Sequence, residues 1–210
     1  LRETLGDAQI GFEPSGSMEF FRQGGMTRLP SNSEIFDLNG WLSEVTGVPD
    51  TFEVIHASHL AERQAPEHEC AIFSRLEGVI DTGKMNRSLR KKVAAAGIDL
   101  ITGLRVHKIE PQDSGWHLHV QRGDELTPIR VPNMIVATNA FATQLIPHLN
   151  VQPVKNQVLV TAPIPDWDFR HSVHLDAGYV YARNVENRML IGGGRHWNVD
   201  AEETERRLIE

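Results

Sequence analysis

Two periodicities divide this chain. Apolar residues that recur every second position mark strands, and a recurrence every three to four marks helices. Alternation over residues 8–12 and 17–22 predicts two strands, with Pro14-Ser15-Gly16 as the turn between them. Leu38, Trp41, Leu42 and Val45 then fall at helical spacing. They predict a helix over about 34–45, capped by Ser31 or Ser33 and ended by Gly47 and Pro49. Before it, Gly6 reads as the stop of a helix over the first residues. Residues 51–76 are weakly periodic and read as strand and loop. At Asp81-Thr82 a capped helix opens and runs through Ala96 to Gly97, with Met85, Leu89 and Val93 every fourth position.

From Gly97 the pattern turns to short strands, at 98–101, 104–109, 115–121, 128–131 and 134–138. In the third, Trp116, Leu118 and Val120 share a face and leave His117 and His119 on the other. A short helix is expected at 142–149 and a further strand at 154–161. The clearest element is a hairpin over 179–196, with its turn at 184–187. Pleat geometry puts Tyr179, Tyr181 and Arg183 on one side of its first strand, and its second strand ends in Gly192, Gly193 and Gly194. An arginine between phenols suits an anionic small molecule, because a guanidinium pairs with a carboxylate through parallel hydrogen bonds. The plainer reading is an ordinary hairpin with a surface arginine. Helices and strands mix without regular βαβ alternation, so the expected fold class is α+β.

Composition narrows the class of protein. The 210 residues, 40% hydrophobic and 23% charged, are ordinary for a globular chain of one core or two small ones. Net charge is -7, and the cluster Arg87, Arg90, Lys91 and Lys92 is one helix face, so no basic stripe for nucleic acid exists. No apolar run has membrane-spanning length. A lone Cys70 favours a reducing, cytoplasmic compartment. The chain opens without Met and closes at 202–210 in a helix-forming run without a stop signal, so it reads as the interior of a longer protein. Ten histidines raise the question of metal, but His56, His59, His68 and Cys70 lack the firm spacing of a zinc site. His117, His119, His171 and His174 read as solvated residues, and His196, just past the glycines, as one that could adjust charge near a ligand.

Three segments in register resemble a known family. Glu77-Gly78-Val79-Ile80-Asp81 with Ala96-Gly97-Ile98 resembles "G-x-[IV]-D-P … A-x-x-x-G-[VI]", with Thr82 where proline is common. Val106 to Ile109, then Met134-Ile135-Val136-Ala137-Thr138-Asn139-Ala140, resembles the strands that end in "V-[IL]-A-[ST]-[GN]-A". Pro153 to Val158, the hairpin and Met189-Leu190-Ile191-Gly192-Gly193 form the third. All three resemble the flavin-dependent amine and amino-acid oxidases of the D-amino-acid oxidase superfamily. One departure is large: no G-x-G-x-x-G occurs anywhere, although the family's FAD pyrophosphate rests on such a turn.

The resemblance implies FAD as cofactor and hydride removal from the carbon beside an amine, the protein serving to orient the substrate. It implies that 1–76 and 151–210 form two parts of a substrate domain and 77–150 part of an incomplete, Rossmann-like FAD domain. Arg183 stands where the family's "Y-x-x-P-R" pattern places a carboxylate-clamping arginine, with Ala182 replacing proline and Tyr179 and Tyr181 as walls. Gln157 is a candidate substrate or ring contact, with a structural amide as the alternative. Val106 resembles the adenine contact, and Ala137, Thr138 and Asn139 the pyrophosphate loop, with Gly192 and Gly193 near the cofactor. A buried strand valine is the alternative at Val106. Two other activities stay open: a flavin oxidoreductase of 2-hydroxy acids or polyol phosphates, and a non-catalytic α+β ligand-binding module.

Overall fold

Ser31 shows how local sequence sets the frame. Its side chain accepts from the Glu34 amide while the Glu34 carboxylate accepts from the Ser31 amide, closing a capping box. The computed structural model, which describes residues 1–22, 24–56, 70–151, 153–154, 156–166, 169–194 and 196, shows a helix α3 (Asn32–Thr46) from that cap to left-handed Gly47. The Arg28 guanidinium, then the Ser31 hydrogen bonds, pull the Glu34 carboxyl down to about 2. Two one-turn helices precede it, α1 (Arg2–Leu5) and α2 (Asp7–Ile10). The alternation over 8–12 is therefore helical, not a strand. Five residues cannot fix a period, and Ile10, fully buried, decides the matter by turning inward.

A seven-stranded mixed sheet has the order β2–β3–β1–β8–β9–β10–β7. Its strands are β1 (Ser17–Phe21), β2 (Phe52–His56), β3 (Cys70–Ser74), β7 (Gln157–Val160), β8 (Ser172–Leu175), β9 (Val180–Val185) and β10 (Arg188–Gly193). Only the β1–β8 pair is parallel. One face carries the core of Met18, Ile55 and Ala71, with Phe20 and Phe73 packed against it. Met18 and Ile55 each stabilise by about 1.5–3 kcal/mol through such burial. The other face carries Phe21, Glu19 and Ser17 from β1, and Ile35 of α3 is buried there. Trp41 and Val45, expected on the buried stripe of that helix, are instead 68% and 84% exposed.

A three-stranded antiparallel meander, β4 (Arg105–Gln112), β5 (Gly115–Arg122) and β6 (Glu125–Val131), forms the second sheet. The helix α4 (Thr82–Ala95) starts at Asp81, whose carboxylate accepts from the Lys84 amide, and stops at left-handed Gly97. The expected strands at 98–101 and 134–138 pair with nothing among the described residues, and a strand without a neighbour has no ladder. The helix expected at 142–149 is a 3₁₀ turn placed earlier, Asn139–Gln144. The chain divides into two compact units, Leu1–Leu89 with Asn156–Asn198, and Arg90–Lys155 with Val199–Glu210. Among the described residues no helix is long and apolar enough to cross a membrane.

Candidate functional site

Strand register shows which side chains share the α3 face of the large sheet. His174 pairs with Tyr181, Tyr181 with Gly192, and Gly192 with Val158, so these four form one transverse row. Arg183 and Leu190 occupy the next row, two residues along. Tyr179 lies in the turn just before β9, outside the strand ladder. Of the expected face of two phenols and a guanidinium, β9 therefore carries Tyr181 and Arg183, while Tyr179 is a turn residue.

Each of the three has a different surrounding. The Tyr181 ring lies across Gly192, where an added Cβ would meet Cζ and Oη at 2.4 Å. Its hydroxyl accepts from Asn156 Nδ2 at 3.3 Å. Tyr179 stacks at a tilt on His196, with ring centroids 4.5 Å apart. Gly193, with φ 133, has the Tyr179 carbonyl oxygen 2.2 Å from any Cβ. The close approach at these glycines is therefore made by the chain's own tyrosine ring and backbone.

Arg183 is partly buried and lines a cavity of about 460 Å³ with Glu13, Ile80, Asp81, Asn184 and Leu190. Its Nη1 donates to the Ile80 carbonyl oxygen at 2.7 Å, and its Nε to that of Asn184 at 3.3 Å. These two carbonyls fix the guanidinium, yet no carboxylate among the described residues lies within ion-pair distance of it. Of the five N–H groups of an arginine, that leaves Nη2 with no protein acceptor among them. The backbone amides of Lys84 and Gly83 hold the Asp81 carboxyl below its ordinary range, so the wall also carries a fixed negative charge. Neither tyrosine lines this cavity.

Gln157 is the residue that pleat parity removes from the face. It pairs with Gly193, so its side chain belongs to the opposite side from Tyr181. Its neighbour Asn156 reaches the tyrosine instead. His174, which reads as a solvated loop residue in the sequence, is a strand residue beside Tyr181. Nothing in its local sequence distinguishes it, because only the β8–β9 register puts it there. His59 and His68 lie outside the described residues.

In the other unit, Val106 is in β4 and pairs with Val120. Ala137 and Thr138 precede Asn139, a non-glycine residue at φ 51 that opens the 3₁₀ turn. Ile135, two residues before Ala137, is 93% exposed.

The chain belongs to the FAD dependent oxidoreductase (DAO) family, which it matches over residues 1–210. Among solved structures it is similar to L-proline dehydrogenase from P. horikoshii, at 17% identity and a TM-score of 0.65 over 91% of this chain and 52% of that one. Iminodiacetate oxidase from Chelativorans sp. BNC1 gives 17% and 0.63 over 99% and 55%. Glycine oxidase from Bacillus cereus ATCC 14579 gives 16% and 0.61 over 90% and 50%. At these identities the likeness is one of fold. No curated protein matches the chain by sequence. The chain spans about half the length of these solved relatives.

Proposed function

We propose that the protein oxidises a small amine or amino acid, with FAD as the hydride acceptor. Family membership supports the cofactor. One observation carries the substrate reading: Arg183 is held by two backbone carbonyls, lines a cavity and has no carboxylate partner among the described residues. A fixed cation with vacant donors suits a substrate carboxylate, which pairs with it through parallel hydrogen bonds. Glu13 and Asp81 on the same wall suit an ammonium, so a zwitterion satisfies both charges. That acidic lining favours an amino acid over a 2-hydroxy acid or a polyol phosphate.

Each residue has a positioning role in this reading. Arg183 binds the carboxylate, Tyr181 is held by Asn156 and the bare face of Gly192, and Tyr179 by His196. Val106, Ala137, Thr138 and Asn139 are the proposed FAD contacts. Gly192 and Gly193 serve the cofactor side by keeping the two tyrosines where they are. Residues 1–76 and 151–210 supply the substrate domain and 77–150 part of the FAD domain. FAD supplies the two-electron chemistry, and the side chains hold the substrate and exclude water.

The test is made on the full-length gene product. It should be yellow and should turn over members of an amino-acid panel in preference to a 2-hydroxy-acid panel. Arg183→Ala should lower kcat/KM on carboxylated substrates about 10- to 100-fold, as for the loss of a contact worth about 1.5–3 kcal/mol. Colourless protein that does not respond to added FAD would sink the cofactor reading. An unchanged kcat/KM in the variant would sink the role of Arg183.

A further inference from the structure

A second cavity, of about 290 Å³, lies beneath α3 where that helix covers β1, β2 and β3. Its walls include Phe21, Ile35, Leu38, Phe52 and Ile72, and its one carboxylate is Glu19. Register explains the placement. Glu19 pairs with Ile72 across β1–β3, and Phe21 is two residues along, so all three face the helix. Glu19 is partly buried in the middle of a strand. Among the described residues it makes no hydrogen bond and no ion pair. The cation among its lining residues, Arg28, is already engaged by Glu34 through two hydrogen bonds of 2.9 and 2.7 Å. His174, the register partner of Glu19 on β8, forms no ion pair with it.

A partly desolvated carboxylate costs free energy unless a cation offsets it. Among the described residues the cavity has apolar walls, Glu19 and an arginine already paired with Glu34, which leaves Glu19 without a counter-charge of its own. A neutral hydrophobe would fill the space and leave the anion unpaired, and a bare metal ion would meet only one charged ligand. We propose that this cavity binds a small primary ammonium with an apolar tail, its headgroup on Glu19 and its tail among Phe21, Ile35, Leu38, Phe52 and Ile72. The site is separate from the Arg183 cavity and does not depend on the oxidase reading.

Calorimetric titration of the full-length protein with phenethylammonium chloride tests the assignment, with 2-phenylethanol as the neutral control. The wild type and Arg183→Ala should bind the amine alike. Glu19→Gln should bind it about 10- to 100-fold more weakly, the loss expected for a charge-assisted contact. Leu38→Trp, which fills the cavity, should abolish binding, and 2-phenylethanol should bind no better than it does to Glu19→Gln. Absence of binding to the wild type, equal binding to Glu19→Gln, or loss of binding in Arg183→Ala would each overturn the proposal. The titration is run without oxygen on protein whose flavin is already reduced, so the amine cannot be oxidised and none of these outcomes bears on the oxidase reading.

Discussion

Gly192 and Gly193 adjoin in sequence yet face opposite sides of the sheet, and they fail differently on substitution. At Gly193 a methyl group would meet the Tyr179 carbonyl oxygen and the Val180 Cα, both backbone atoms, at a φ of 133. At Gly192 it would meet the end of the Tyr181 side chain, which can rotate away. Gly193→Ala should therefore cost about 1–3 kcal/mol of stability in chemical denaturation, in the range of a strained backbone site. Gly192→Ala should cost less stability but displace the phenol, which would show as a change in substrate KM. An equal loss of stability in the two variants would contradict this asymmetry. The glycines themselves are conspicuous in the sequence, but the partners that require them are on the neighbouring strand. Arg183 is similar: its candidacy follows from strand alternation, and its anchoring to Ile80 depends on a residue 103 positions away.

Among the elements, the helices capped by Ser31 and Asp81 and the β4–β5–β6 meander are legible in sequence, since a cap, a stop and an alternation are all local. The β4–β5 pair also contains an acid-sensitive cluster that only strand register assembles. Glu110 accepts Lys108 at 2.6 Å and His119 across the strands at 2.7 Å. Lys108 first and His119 second bring its carboxyl down to about 2. Because the folded value is depressed, this contribution to stability is present above the ordinary glutamate value of about 4.3 and fades as pH falls through about 2. NMR titration should find the Glu110 midpoint near the lower value, and Lys108→Met should raise it. A midpoint at the ordinary value in the wild type would show that the cluster does not persist in solution.

For the molecule as a whole, two apolar runs stand unpaired among the described residues. Residues 98–101 and 134–138 read as strands, and Ile101 and Ile135 are 70% and 93% exposed. The chain spans about half the length of its solved relatives, so we expect these runs to join a ladder in the full-length protein. Amide hydrogen exchange should then find both protected there and fast in the 210-residue chain; fast exchange in both would refute the expectation. The sequence by itself determined the helices with caps, the hairpin, the α+β class and the side of β9 that carries the candidate site, because each follows from periodicity or a short-range hydrogen bond. Tertiary structure alone decided that Tyr181 rests on Gly192, that Gln157 faces away while His174 faces in, and that Glu19 is partly buried beneath α3. Those outcomes depend on register between strands distant in the chain, and no local pattern encodes which residue a strand will find opposite it.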